Sequence, residues 1–210
     1  MSRIGRDSQP VTKLQMLRRW VMDHLGSDRH ERRVSAIARR LVEITSTLHD
    51  LDTRDLRLLR MSSLVHDVGR HVSEKDHPSV GAEMLLEDDS LPLKNRHRRA
   101  LAYLTLYHRG EVPEVGEDLI LRRSDDAKRL RLVLAFLRAA DSLDCRSLPA
   151  PKLQIRRRGR RLRIVCRLPE NSPKARRVFT RRKKFRLLEE LLNCRIDVIV
   201  TARRRLKLAA

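Results

Sequence analysis

The segment SSLVHDVGRHVSEKDHPSVGAEML, residues 62–85, places histidines and carboxylates directly among apolar residues. His66 and Asp67 follow the apolar residues Leu64 and Val65. Leu59 lies seven residues before His66, which puts His66 on the apolar side of the helix predicted here. An aspartate is rarely buried without a partner or a metal ion, because its charge loses hydration. The segment therefore predicts a helix that carries polar groups into the protein core.

Three other predicted helices have a polar residue on their apolar stripe. His30, His108 and Asp141 each lie four residues from an apolar residue of their own helix. With His66 and Asp67, five polar groups then point into the core, and two buried carboxylates among imidazoles would repel each other without a cation. Mixed nitrogen and oxygen donors suit Mn, Fe, Co or Mg better than a closed structural zinc site. The sequence predicts a divalent metal ion here, although a single histidine on an apolar face is more often a hydrogen-bonded core residue.

The hydrophobic pattern predicts a mainly α protein, with a helical domain over residues 1–147 followed by a small α+β domain over residues 152–202. Six helices are expected in the first part, beginning with Val11–Leu25. In the second, LQIRRRGRRLRIVCRL alternates as a β-hairpin does, Lys174–Leu192 reads as one helix, and RIDVIVTA as a third strand, in the order ββαβ. The expected boundaries include a second helix capped by Asp28 and Glu31, a third helix capped by Asp52 or Thr53 and ending near Val68, and a sixth helix capped by Ser124.

Charge is distributed unevenly along the chain. The formal net charge is +21, and residues 152–186 contain 16 Lys and Arg with one acid, Glu170. Such a field attracts anions and polyanions, so we expect the second domain to bind polyphosphate or, non-specifically, nucleic acid. Aromatic residues make up only 3% of the chain, which argues against recognition by base stacking. The arginines expected to bind the polyanion are Arg156, Arg158, Arg160 and Arg161.

Other features narrow the class of protein. Cys145, Cys166 and Cys194 are widely spaced and form no CxxC pair, so the sequence indicates neither a zinc ribbon nor a disulfide framework. The beginning of the chain lacks an apolar signal core, and no apolar run reaches membrane-spanning length. We therefore expect a soluble cytoplasmic protein that does not bind membranes. The sequence leaves a homodimer open.

The polar residues together resemble the signature of the HD superfamily of metal-dependent phosphohydrolases. His30, the doublet His66-Asp67 and Asp141 are similar to its H…HD…D pattern, with 36 residues from His30 to His66 and 74 from Asp67 to Asp141. The segments LVHDVG, DHPSVGAEML, YHRG and RAADSLD resemble, in order, those of HD proteins that hold two metals. By this resemblance His30, His66, Asp67 and Asp141 bind one ion, and His77 and His108 bind a second that Asp67 bridges.

The resemblance implies hydrolysis of a phosphate ester or anhydride by metal-activated water. The substrate would be a nucleotide, a dinucleoside polyphosphate or polyphosphate. Asp67 and Arg70 are the expected catalytic residues, since Arg70 stands where related two-metal enzymes often carry a phosphate-contacting lysine. Arg70, Lys75 and Arg109 are the expected substrate-binding residues, because guanidinium groups hold phosphate in a bidentate fork. The resemblance assigns no function to His71.

The order of a helical HD domain and a ββαβ unit resembles the C-terminal half of the exopolyphosphatase/guanosine pentaphosphate phosphohydrolase family. That family's catalytic site lies in an actin-like module with a glycine-rich phosphate loop, whereas this chain has seven glycines and no such loop. The resemblance therefore does not extend to that chemistry. The sequence Val68-Gly69-Arg70-His71 also differs from the HDxxED of the alarmone hydrolases. The alternative function is a non-catalytic regulatory module that binds polyphosphate or RNA on an HD scaffold.

Overall fold

The computed structural model describes residues 12–170 and 172–202. Within these ranges a set of α-helices is followed by a small three-stranded sheet with two further helices, which confirms the predicted fold class. Val11 lies outside the described residues. The elements in chain order are α1 (Lys13–Leu25), α2 (Arg29–Ile44), α3 (Thr53–Val65), α4 (His77–Glu87), α5 (Asn95–Leu106), α6 (Ala127–Ser142), β1 (Lys152–Arg158), β2 (Arg161–Leu168), α7 (Pro173–Phe179), α8 (Lys183–Leu192) and β3 (Arg195–Ala202).

Two helix starts have the caps that their sequences allow. Asp52 accepts hydrogen bonds from the backbone amides of Arg54 and Asp55, and the side chain of Asp55 accepts one from the amide of Asp52. This reciprocal capping box begins α3 as predicted. At α6 the cap is Asp126, whose carboxylate accepts from the amide of Arg129, so the prediction of Ser124 was wrong by two residues.

The second helix begins without the predicted capping box. Asp28 makes no side-chain capping bond and instead pairs with Arg18 on α1 at 2.5 Å and with Arg32 at 3.2 Å. Glu31 is fully buried, and its side chain contacts Arg146. Ion pairs, including those with Arg18 and Arg146 outside α2, have therefore replaced the capping bonds that the sequence pattern indicated.

Two further boundaries differ from the prediction. Helix α3 ends at Val65, so His66 is its C-cap and Asp67 lies in the turn before the 3₁₀-helix Val68–His71. The predicted helix over Lys174–Leu192 is two helices, α7 and α8. At the end of α7, Thr180 donates from both its backbone amide and its hydroxyl to the carbonyl of Arg176. The second unit is therefore ββααβ.

Helix α6 lies at the centre of the molecule. Most of its residues are buried, and it contacts α2, α3, α5 and α8. Leu134 and Phe136 of α6 belong to the same apolar cluster as Ile164 of β2 and Phe185 of α8. The hydrophobic core thus continues from the helices into the second unit, and the boundary that we propose between residues 147 and 152 lies in the segment that leads to β1.

The sheet has the strand order β1-β2-β3, with β2 in the middle. Strands β1 and β2 are antiparallel and joined by a two-residue turn in which Gly159 has a φ of 55°. Strand β3 is parallel to β2, and α7 and α8 form the connection that parallel pairing requires. Alternation along β2 buries Leu162 and Ile164 and exposes Arg161 and Arg163.

None of the helices in the described ranges is both long enough and apolar enough to cross a membrane.

Candidate metal centre

Six buried side chains, which we call the His-Asp cluster, meet where several helices begin or end. His30 lies in the first turn of α2, His77 is the first residue of α4, and Asp141 lies in the last turn of α6. Each of the six is at most 5% exposed. The cluster consists of His30, His66, Asp67, His77, His108 and Asp141.

Gly69 allows the 3₁₀-helix after Asp67 to lie against the start of α4. A β-carbon at Gly69 would lie 2.3 Å from the carbonyl oxygen of His77 and 2.6 Å from the amide nitrogen of Gly81. Both atoms belong to the backbone and cannot move aside as a flexible side chain would. The close approach that only glycine permits at this position brings His77 to Asp67.

The ligand atoms form two adjoining groups. In the first, the Nε2 atoms of His30 and His66 lie 3.4 and 3.6 Å from Oδ1 of Asp141. In the second, the Nε2 atoms of His77 and His108 lie 3.2 and 3.4 Å from Oδ1 of Asp67. Within each group the possible ligand atoms lie within 4.8 Å of one another. Asp67 also connects the groups, because its Oδ2 is 3.7 Å from Nε2 of His30.

The other nitrogen of each imidazole is held by an acceptor. Nδ1 of His66 faces the carbonyl of Ser63 at 3.0 Å, and Nδ1 of His77 faces that of Glu74 at 2.8 Å. Nδ1 of His108 is 2.6 Å from the carbonyl of Thr105. A carbonyl oxygen can only accept, so Nδ1 carries the proton and Nε2 presents its lone pair to the cluster, as in metal-binding histidines.

His30 is held by a carboxylate instead of a carbonyl. Its Nδ1 lies 2.6 Å from Oδ2 of Asp144, and Arg33 binds the same carboxylate with Nε at 2.7 Å and Nη2 at 2.9 Å. The sequence analysis missed Asp144 and Arg33. The three-residue spacing from Asp141 to Asp144 was the available signal, since such spacing places both near the same end of α6.

Five buried polar atoms of the cluster make no hydrogen bond within the described residues. They are the Nε2 atoms of His30, His66, His77 and His108 and the Oδ1 atom of Asp67. Buried polar groups are almost always satisfied, so each unpaired atom requires an explanation. Because the five atoms converge and are all metal-binding donors, a divalent cation between them would satisfy all of them at once. The residues present therefore fit a metal site.

The electrostatics of the cluster favour ionised carboxylates. Burial alone would raise the pKa of Asp67, but the imidazoles of His66, His108 and His77 outweigh it and hold that pKa well below its usual value. Burial also opposes ionisation of Asp141, whereas His30, His66 and Lys184 lower its pKa well below normal. Both aspartates are thus anionic at neutral pH, which is the form that binds metal.

The histidines titrate at different pH values. Burial lowers the pKa of His108 to about 4 and also lowers the pKa of His77, so both are neutral near pH 7. Burial opposes protonation of His30 too, but contacts with Asp141 and Asp144 raise its pKa to about 9. His30 is therefore the ligand that must lose a proton before it can bind a cation.

Two arginines hold the second oxygen of Asp67. Nε of Arg70 lies 2.7 Å from Oδ2, and Nε of Arg146 lies 3.0 Å from the same atom. Arg146 also contacts Glu31, and Arg70 contacts Glu74. Arg70 was predicted from the sequence as a site residue, whereas Arg146 was not and Glu31 was predicted only as part of a helix cap. The contact between Arg146 and Glu31 joins residues 115 apart.

The remaining residues expected at the site lie in different environments. Lys75 is exposed and has no ion pair within the described part of the chain. Nε of Arg109 is buried without a hydrogen-bond partner in the described ranges, and Arg109 contributes to the lowered pKa of His77, so its charge lies near the cluster. His71 packs on the ring of His24 at 4.8 Å and donates from Nδ1 to the carbonyl of Val68, outside the cluster.

A second candidate site lies on the sheet. Arg156 is opposite Arg163, Arg158 is opposite Arg161, and Arg161 is opposite Arg195. We call these five exposed side chains the basic face. They line a cleft of about 1270 Å³. Asp197 pairs with Arg161 at 2.7 Å and with Arg195 at 3.1 Å, whereas Arg160 lies in the turn and donates to the carbonyls of Leu192 and Asn193.

Two adjoining groups of buried imidazole and carboxylate donors in a mainly α protein are a ligand set that suits divalent metal ions. The family of Ppx/GppA phosphatase domain III matches residues 12–153. The match covers α1 to α6 and ends at β1, so it includes all six residues of the His-Asp cluster. The chain therefore belongs to the Ppx/GppA phosphatase domain III family. No curated protein matches it.

Proposed function

We propose that this protein is an HD-type metal-dependent phosphohydrolase. The observation that carries the proposal is the convergence of five buried, unpaired donor atoms in the His-Asp cluster. A structural role alone would leave these atoms desolvated without compensation. The match to Ppx/GppA phosphatase domain III supports a phosphate-containing substrate, while the ligands of the His-Asp cluster itself support the reaction.

The cluster offers ligands for two ions. His30, His66 and Asp141 would hold one, His77 and His108 would hold the other, and Asp67 would contact both. When bound, divalent ions such as Mn, Fe, Co or Mg lower the pKa of coordinated water and neutralise charge on phosphoryl oxygens. The mixed nitrogen and oxygen donors favour these ions over a structural zinc.

The protein's own side chains would orient the reactants. Arg70 and Arg146 bind Oδ2 of Asp67, which leaves Oδ1 turned towards His77 and His108. Arg109 is the best candidate to bind the substrate phosphate, because its buried Nε has no hydrogen-bond partner among the described residues. Lys75 is exposed and lies two residues before His77 in the sequence. It could hold a more distant phosphate group of a nucleotide, a dinucleoside polyphosphate or polyphosphate.

Replacement of Asp67 by asparagine tests the proposed reaction. Asp67→Asn keeps the size of the side chain but removes the charge between the two ligand groups, so we expect metal-dependent phosphate release to fall by at least about 100-fold, since outer partners of metal ligands alone are worth 10- to 100-fold. Phosphate release is measured with nucleotides, dinucleoside polyphosphates and polyphosphate, each with Mn, Mg, Co or Fe. Asp23→Asn, which removes an exposed carboxylate of α1, is the matched control.

The outcome also separates the proposal from its alternative. If the wild-type protein binds metal but releases no phosphate from any of these substrates, the protein is a binding module. If Asp67→Asn retains full activity, hydrolysis occurs elsewhere.

A second function is favoured by the basic face. Arg156, Arg158 and Arg163 have no ion pair within the described residues, and like charges directly opposite each other on a sheet are destabilising. An anionic chain in this cleft would relieve that repulsion. We propose that the basic face binds a polyanion, either as captured substrate or as a separate partner.

A further inference from the structure

Lys184 connects the second unit to the His-Asp cluster. It lies on α8, 31 residues beyond the end of the family match at residue 153. Its Nζ is 3.0 Å from Oδ2 of Asp141, and its side chain is only 20% exposed. We propose that Lys184 is a positioning residue of the metal centre. This inference rests on the proposed metal-dependent function.

The geometry at Asp141 indicates what Lys184 does. Oδ1 of Asp141 faces the Nε2 atoms of His30 and His66, and Oδ2 is held by Lys184. A carboxylate with one oxygen anchored by an ammonium group has a single orientation in which to present the other. Lys184 therefore fixes Asp141 as a ligand through Oδ1, as outer partners commonly do for metal-binding carboxylates.

The packing of α8 places the ammonium group at this point. Phe185 and Leu188 are buried in the apolar cluster that also contains Leu137 and Ala140 of α6. Lys184 precedes Phe185, so the burial of that ring against α6 directs the neighbouring lysine to the end of α6 that carries Asp141. The hydrophobic contact between the two units thus determines the polar one.

Two effects of Lys184 on metal affinity have opposite signs. The positive charge of Lys184 repels a cation in the cluster, so the loss of this charge, taken alone, would tighten metal binding. The hydrogen bond from Lys184 to Asp141 orients this carboxylate as a ligand, so the loss of that bond, taken alone, would weaken metal binding. We infer that positioning is the larger effect, because the contact is direct and the ligand that it orients is buried.

The affinity for Mn²⁺ decides between the two effects. Free Mn²⁺ is measured by electron paramagnetic resonance in titrations of the full chain at one pH and salt concentration. We expect Lys184→Met to weaken Mn²⁺ binding by about 10- to 100-fold and to lower the rate of phosphate release more than it changes KM. Lys184→Arg, which keeps a cationic donor, should restore most of the affinity.

Lys183→Met is the matched control, because it removes the same charge from the exposed neighbouring position. It should bind Mn²⁺ as the wild-type protein does. Circular dichroism checks that each variant is folded, and Lys184→Ala repeats the test if Lys184→Met is not.

The possible outcomes distinguish this inference from the proposed function. Equal or tighter Mn²⁺ binding by Lys184→Met would overturn the positioning role while leaving the metal centre intact. If the wild-type protein itself binds none of Mn, Mg, Co or Fe, the proposed function fails, and the role of Lys184 fails with it. Tighter binding that Lys183→Met shares would show that only the net charge matters, and a loss that Lys183→Met shares would overturn a role specific to the contact between Lys184 and Asp141.

Discussion

Metal affinity should rise steeply with pH between 7 and 9, because His30 must lose a proton before it can bind a cation. Its Nδ1 lies 2.6 Å from Asp144 and its Nε2 lies 3.4 Å from Asp141. These carboxylates raise the pKa of His30 to about 9 in spite of its burial. At pH 7 only about one molecule in a hundred then has a neutral His30, since the neutral fraction falls about tenfold for each pH unit below the pKa.

The magnitude follows from that fraction. The apparent affinity at pH 7 should be about 100-fold below its limiting value, which corresponds to about 2.7 kcal/mol, and should rise about tenfold per pH unit until it levels off near pH 9. His77 and His108 do not contribute to this slope, because burial lowers the pKa of both and they are neutral throughout the interval.

The assay is a titration with Mn²⁺ under anaerobic conditions from pH 6.5 to 9, with the free ion measured by electron paramagnetic resonance. Asp144→Asn is the informative variant, because it removes the negative charge beside Nδ1 of His30 while keeping the shape of the side chain. It should lower the pKa of His30, so that affinity levels off at a lower pH. An affinity for Mn²⁺ that does not change between pH 7 and 9 in the wild-type protein would refute the reasoning.

Three further predictions concern stability and the basic face. The free energy of unfolding of the metal-free protein, measured in urea, should fall by about 3 kcal/mol as pH rises from 6.5 to 9. The pKa of His30 is about 9 in the folded protein and 6.5 in the unfolded chain, so its protonation stabilises the fold fully below pH 6.5, and this stabilisation is lost as pH rises through about 9. Stability that is constant or increasing over this interval would contradict the prediction. Gly69→Ala should cost about 2 kcal/mol in the same assay and weaken Mn²⁺ binding, since the new β-carbon meets the backbone of His77; unchanged stability and affinity would show that the turn has room. Replacing four arginines of the basic face by glutamine should reduce the slope of log polyphosphate affinity against log salt concentration by roughly one unit per lost phosphate contact. The same replacement at four exposed arginines of the helical part should leave the slope unchanged. If the basic-face variant also keeps the wild-type slope, the polyanion site lies elsewhere. The four arginines are Arg156, Arg158, Arg161 and Arg163, and the control set is Arg19, Arg39, Arg40 and Arg54.

The sequence by itself determined the features that depend on neighbouring residues. The helical period put His30 and Asp141 among apolar side chains, and the cost of burying a carboxylate was enough to predict a metal-binding cluster there. Alternation in Arg161–Leu168 was enough to predict a strand with a basic side, because successive side chains point to opposite faces. The mainly α fold class followed from the same periods.

Only the tertiary structure decided which side chains complete the site. Lys184 reaches Asp141 across 43 residues and Arg146 reaches Asp67 across 79, and no local period relates such positions. The loss of the capping box at Asp28 has the same origin, because Asp28 pairs with Arg18 of α1 and Glu31 contacts Arg146. There, ion pairs between separate segments outweighed a local capping preference worth about 1 kcal/mol, and such contacts exist only once the chain has folded.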